Sequence, residues 1–264
     1  AVLPDARPEA RVAFEEGLRL LGLGPKQWEA ARDKFAEATK KDGKLFEAWH
    51  NLGLVEARLG RWDRATDAFE RALEIQPASR MSAMALAEAL VRHGKPDAAH
   101  ALLKKRVAAA PEDLELRLQY IAALREARKT TEALEEARAI LQKDSRSVRG
   151  FNALGMVYLA ADRHALAETA FRRALELDPK AAEVWNNLGL VLLERGRDQD
   201  AFSAFQKATE LDPKYKEALL NKAVVYMDCG DYGKASDELE RAVKIDPTDP
   251  AVFVALGVAA RGTK

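Results

Sequence analysis

Only one cysteine, Cys229, occurs in the 264 residues, so the chain closes no disulfide on itself and offers no thiolate cluster to a metal. Its place in a helical stretch points to a buried structural thiol. Histidine is nearly as scarce. His50, His93, His100 and His164 form no i, i+4 pair and no zinc-type spacing with the cysteine. Structural roles suffice for His50 and His164, while His93 and His100, beside a turn, are expected to face solvent. Neither sign of charge is in excess: 42 Lys and Arg stand against 42 Asp and Glu, so no net field draws the chain to nucleic acid or to an anionic membrane. No apolar run reaches the roughly 18 residues of a bilayer-spanning helix, and no direct membrane insertion is expected.

Phosphate-binding and nucleophilic motifs are missing as well. Gly22-Leu23-Gly24-Pro25-Lys26 has neither a preceding strand nor the spacing of a phosphate loop, and it reads as a turn. Serines and carboxylates are scattered, with no Ser, His, Asp constellation and no second domain to wall a pocket. An enzyme is therefore not expected, nor is a cofactor or a metal. The basic stretch of Arg92, His93, Lys95, Lys104, Lys105 and Arg106 is followed at once by Glu112, Asp113 and Glu115, which reads as a solvated face, with a ridge that docks an acidic partner as the competing account. The chain opens on Ala1-Val2-Leu3-Pro4 in place of an initiator methionine, which a removed signal peptide and a boundary set upstream explain equally.

What is present is a period. Alanine recurs every 34 residues at Ala31, Ala65, Ala99, Ala133, Ala167, Ala201 and Ala235. A fixed period of that length means one supersecondary unit repeated end to end, each burying its apolar face on its neighbours. Units begin at Val12, Phe46, Arg80, Leu114, Val148, Ala182 and Lys216, giving 12–45, 46–79, 80–113, 114–147, 148–181, 182–215 and 216–249, with a partial unit over 250–264. Trp49, Leu52 and Gly53 share one face of a first helix, and Trp62, Ala65, Phe69 and Ala72 follow the spacing of an amphipathic second helix. Each unit is thus a helical hairpin. Gly60, Gly94, Gly196 and Gly230 supply the left-handed residue that ends first helices. Pro77, Pro111, Pro179, Pro213 and Pro247 break the chain before the next unit.

Three stretches carry a family likeness: Trp49-His50-Asn51-Leu52-Gly53, Phe151-Asn152-Ala153-Leu154-Gly155 and Trp185-Asn186-Asn187-Leu188-Gly189, each followed at set distances by Ala, Phe, Ala and Pro. From about Val12 onward the chain resembles the tetratricopeptide repeat family. The resemblance implies an all-α, right-handed superhelical solenoid of antiparallel helix pairs, a single array over 1–264. Gly53, Gly155 and Gly189 are expected to make room for Ala65, Ala167 and Ala201 where the two helices of a pair cross.

Departures mark the weaker copies. The unit 114–147 has Arg117 for the aromatic, Ile121 for the glycine, Arg128 at the turn and Ser145 for the proline; ordinary drift and a softer joint both account for it. Arg19 takes the glycine place in the first unit, as suits a terminal repeat. Pro250 to Ala260 supply one more first helix, read as a cap on the seventh unit. The competing reading is that its outer side, including Val252 and Leu256, stacks on another chain and makes a homodimer.

Resemblance to the family also implies a concave face lined by first helices, where protein or peptide segments of partners lie. At the ninth and twelfth places of the last three full units stand Met156 and Leu159, Leu190 and Leu193, Val224 and Met227, with Val258 continuing the row. Such a stripe fits a groove that buries apolar partner side chains; tight packing between successive first helices is the competing account. Beside it lie Asn51, Asn187 and Asn221 at the sixth place and Asn152 and Asn186 at the fifth. Carboxamides both donate and accept, so these side chains are expected to hold a partner's backbone. The earlier face, with His50, Leu54, Met84, Glu88, Arg92, Gln119 and Arg125, is mixed. Leu54, Met84 and Leu118 occupy places where the two-carboxylate clamp of chaperone-binding relatives wants polar or cationic groups, so chaperone tails are not the expected partner.

The expected function is a non-enzymatic scaffold for a partner segment, with self-assembly through the C-terminal helix or the convex face as the alternative. Alanine- and arginine-rich repeats with few aromatics look like those of bacterial members that serve envelope assemblies. This analogy places the chain in the periplasm, with the cytoplasm as the alternative.

Overall fold

The computed structural model describes residues 6–262, and the opening residues Ala1-Val2-Leu3-Pro4 lie outside them. Every element among the described residues is helical. Helices fall into two compact units, divided between Lys129 and Thr130, inside the fourth copy of the repeat. In the first unit lie α1 (Pro8–Gly22), α2 (Trp28–Lys41), α3 (Phe46–Arg58), α4 (Trp62–Ile75), α5 (Arg80–Arg92), α6 (Pro96–Ala109) and α7 (Leu114–Glu126). In the second lie α8 (Thr130–Lys143), α9 (Val148–Ala160), α10 (His164–Leu177), α11 (Ala182–Glu194), α12 (Asp198–Leu211), α13 (Lys216–Asp228), α14 (Tyr232–Ile245) and α15 (Pro250–Gly262). Consecutive helices pack in each unit, and first helices also touch the next first helix, as α3 meets α5 and α11 meets both α9 and α13.

All seven alanines of the period are fully buried. The glycines of the first helices, however, face rings and not these alanines. A methyl built on Gly53, Gly155 or Gly189 would stand 2.6, 2.5 and 2.5 Å from the rings of Phe69, Phe171 and Phe205 respectively. Each phenylalanine lies across the bare backbone of the preceding helix, and the alanine one turn earlier lets the helices come close enough for it.

The same contact shifts the first unit. Gly17, not the place of Arg19, faces a ring, that of Phe35, at 2.7 Å from a methyl built there. Between glycine and ring this pair has two residues more than the others, taken up by a 3-10 turn at Pro25–Gln27. The first repeat accordingly begins near Ala10 instead of Val12.

Turns follow the sequence closely. Gly60, Gly94, Gly196 and Gly230 have φ of 72°, 76°, 67° and 77°, and Arg128 and Asp162 take the same place in the fourth and fifth copies at φ 56°. Between units, Asp42, Asp144, Asp178, Asp212 and Asp246 each accept the backbone N–H two residues on, at 2.9 to 3.0 Å, which fixes the chain for the next helix. Trp49 and Trp185 donate their indole N–H to the carbonyls of Gly43 and Pro179. Arg117, which replaces the aromatic in the fourth copy, donates to the Pro111 carbonyl across the same six-residue separation. Its departure from the pattern preserves that bond.

Two further expectations fail. Cys229 is exposed, because it caps α13 at the turn and does not lie inside the helix. His100 is buried, its ring stacked at 5.5 Å on Tyr120 from the next helix.

Two outcomes test this packing. Arg128→Gly relieves a left-handed residue and should stabilise the protein by about 1 kcal/mol, with a smaller gain for Asp162→Gly because aspartate tolerates that region better. Gly189→Ala should destabilise it by about 1–3 kcal/mol through the clash with Phe205. Urea unfolding midpoints measure both.

Candidate functional site

The faces of α9, α11 and α13 carry the residues expected to bind a partner, apart from Asn51 on α3. Met156, Leu159, Leu190 and Leu193 are half-buried, packed at the edge of the core around Phe171 and Phe205. Met227 sits similarly beside the core around Leu219 and Leu239. Val224 is 42% exposed, and Val258 on α15 matches it at 42%. The stripe is therefore half core and half surface: packing between first helices takes one side of each chain and leaves the other open.

Asparagines behave differently from expectation. Asn186 and Asn187 are buried, and their amides are spent inside the fold. Asn187 donates to Asn152 Oδ1 at 2.9 Å, Asn221 donates to Asn186 Oδ1 at 2.8 Å, and Asn152 donates to Glu183 Oε1 at 2.9 Å. Fifth-place and sixth-place carboxamides of successive first helices thus bond to each other, because those helices pass within side-chain reach. Asn51 takes no part in this ladder and donates to its own helix at Glu47 O, 2.8 Å away. In its neighbourhood His50 makes the link between first helices, through Nδ1 and Ser82 Oγ at 2.9 Å, and burial lowers its pKa. The side chains of Asn152, Asn186, Asn187 and Asn221 space the helices that present the stripe.

Tyr215 closes the ladder at its edge. Burial, reinforced by Glu183 and Glu217, pushes its hydroxyl up to about 12, while the hydrogen bond with Asn186 pulls the other way.

Sequence reading missed buried charges at two places, Lys222 with Glu238 and Glu168. Lys222 stands where the second to sixth copies place leucine or tyrosine, with Nζ 2.8 Å from Glu238 Oε1 and near the rings of Phe202 and Tyr226 at 5.7 and 5.8 Å. Arg241 holds the other oxygen of Glu238. Glu168 is buried among Arg172, Arg195 and Arg197; burial pushes its pKa up, and the guanidiniums more than reverse this and hold it below the ordinary value. For Lys222 the available signal was a charged residue at an otherwise apolar place, since burying it demands a partner.

Among the described residues, no group of three or more His, Cys, Asp or Glu is arranged to hold a metal ion, and no helix is long and apolar enough to cross a membrane. The fold and its faces define a helical-hairpin repeat of the non-catalytic, protein-interaction type. Family models described as tetratricopeptide repeat match residues 84–148 and 152–216, 192–256 and 44–112, and the chain belongs to the tetratricopeptide repeat family.

Among curated relatives, a peroxisomal targeting signal receptor of Yarrowia lipolytica is 32% identical over 95 residues, 36% of this chain and 16% of that one. Protein FlbA of Caulobacter vibrioides is 30% identical over 129 residues, 48% of this chain and 22% of that one. The chain spans less than a quarter of the length of either. A tetratricopeptide repeat protein from Parabacteroides merdae shares the fold with a TM-score of 0.70 at 13% identity, covering 96% of this chain and all of that one. A thermophilic relative in Thermus thermophilus gives 0.50 at 20% identity, over 82% and 99%.

The ladder makes a titration prediction. The folded protein keeps Tyr215 neutral, so the stability carried by its burial is whole below the ordinary value of 10.0 and is lost as pH rises from there toward 12. Phenolate absorbance should show one of the five tyrosines ionising late, and Tyr215→Phe should remove that component.

Proposed function

We propose that the first-helix face of the second unit binds an apolar or amphipathic segment of a protein partner, with Met156, Leu159, Leu190, Leu193, Val224 and Met227 as anchors. One observation carries this reading: a row of half-buried aliphatic and methionine side chains, 42% exposed at Val224, runs along helices whose polar neighbours are already hydrogen-bonded to one another. Asn186 and Asn187 accordingly serve to position the anchors, and the partner's backbone is not theirs to hold. Burial of even a few hundred Å² on such a row contributes at about 25 cal/mol per Å², offset in part by the cost of association. A relative named as the receptor of a targeting signal is in keeping with capture of a segment.

Self-association through α15 is the second reading, favoured by Phe253 and Val254, which are 49% and 69% exposed. A bacterial envelope assembly in the periplasm is the setting we propose for the groove, on composition alone; the gene sequence upstream of Ala1 tests it.

A photo-crosslinker at the open Val224 should capture a partner from the native host. Leu190→Glu with Leu193→Glu should abolish that capture. Because both leucines are half-buried, Val224→Lys, with the crosslinker moved to Val258, is the companion variant. Unchanged capture by both, with helical circular dichroism intact, overturns the groove.

A further inference from the structure

Two neighbouring first helices of the second unit carry charge of one sign around the apolar stripe. On α11 the residues Glu183, Leu190 and Glu194 are spaced by seven and four, and on α13 Glu217, Val224 and Asp228 repeat that spacing. Such spacing keeps the three residues of each set on one helix face. All four carboxylates are exposed. Because α11 and α13 touch side by side, Leu190 and Val224 form a row with carboxylates along both of its borders.

Helix stability explains one border only. Glutamate at the second place of a first helix recurs at Glu47 and Glu115 in the first unit, where the partial positive charge of a helix N-terminus favours it. Glu194 and Asp228 are the last residues of α11 and α13, where the helix dipole favours a cation. At this place α3 and α5 end on Arg58 and Arg92, and α7 on Glu126.

Nor does the chain neutralise this face. No lysine or arginine occurs on α11, and on α13 Lys216 is held by Asp246 and Asp249 while Lys222 is buried on Glu238. Arg195 and Arg197, which follow α11, bond to Glu168. His164 approaches Glu194 at 2.9 Å, and Asp228 has no ion pair among the described residues. With 42 basic and 42 acidic residues in the whole chain, this acidity is local.

We infer that the segment captured by this groove is a basic amphipathic helix, its apolar stripe seated on Leu190, Leu193, Val224 and Met227 and its lysines or arginines reaching the carboxylates on both borders. The inference rests on the binding role proposed above for the same face and names the partner's chemistry. Width selects a helix. The two borders lie about 16 Å apart along each first helix, and a helix with its side chains is about 10–12 Å across. Long cationic side chains span the remainder while their stems cover apolar surface. A helix can border one apolar stripe with cations on both sides, whereas a strand that faces its apolar side chains to the groove turns the alternate ones away from it.

Three stapled helical peptides with the same leucine stripe, bordered on both sides by lysine, glutamine or glutamate, are the probes, with binding to the 264-residue protein read by fluorescence anisotropy. The lysine peptide should bind saturably, about tenfold or more tighter than the glutamine peptide at low salt, and should lose that advantage as salt rises; the glutamate peptide should not bind. Glu194→Gln with Asp228→Asn should weaken the lysine peptide about fivefold or more. Asp67→Asn with Glu70→Gln, on α4 of the first unit, should leave it unchanged, which excludes a general attraction to acidic surface. Glu194→Lys with Asp228→Lys should transfer the preference to the glutamate peptide, an outcome that a role in helix stability alone does not produce. Equal binding of the lysine and glutamine peptides, or a lysine preference that survives Glu194→Gln with Asp228→Asn, overturns the inference and leaves the groove standing. Absence of binding by every peptide, or binding that survives Leu190→Ser with Val224→Ser while circular dichroism shows the fold intact, overturns the groove as well.

Discussion

The packing of a phenylalanine ring on a bare glycine backbone sets the distance between the two helices of a pair, and the remaining contacts depend on that distance. With the ring in place, the alanine four residues before it is driven to full burial, as at Ala65 with Phe69 and Ala201 with Phe205. Close packing of the interior makes the two places interdependent. Where the first helix carries alanine, at Ala87 and Ala223, the second carries the smaller Leu103 and Leu239, all buried to within a few per cent. In the fourth copy the places hold Ile121 and Ala137, the order of size reversed. The repeat conserves summed volume while the residues vary.

Between pairs a different chemistry operates. The turn aspartates, the indoles of Trp49 and Trp185 and the guanidinium of Arg117 all tie backbone groups at the joints. Carboxamides then connect first helix to first helix. Apolar packing builds the hairpins and hydrogen bonds set their spacing. Contacts so local let a worn copy persist, which is why Arg128 can sit in a left-handed turn without disrupting its neighbours.

Helix pairs, turns and buried alanines were legible in the sequence because each depends on residues a few places apart. The partner of the glycine was misread, since the pattern shows that glycine and Phe recur together but not that one lies on the other. Arg19 was misplaced because two extra residues in a turn shift a register that the alanine period conceals. The asparagine ladder was hidden by its spacing: Asn152 to Asn187 and Asn186 to Asn221 are separated by 35 residues, one more than the repeat. A fifth place bonding to the next sixth place is the signature, and a search at the repeat period alone passes over it. Lys222 and Glu238 lie in one pair but on different helices, so only the oddity of a lysine at an apolar place announced them.

Repetition separates building residues from residues with another use. A side chain that recurs and is buried, such as Ala201 or Phe205, is accounted for by the hairpin itself. One that recurs and is bonded to its own kind, such as Asn187, is accounted for by the joint. Val224 recurs as an aliphatic place and is neither buried nor bonded, so the cost of leaving it in water has no return within the chain.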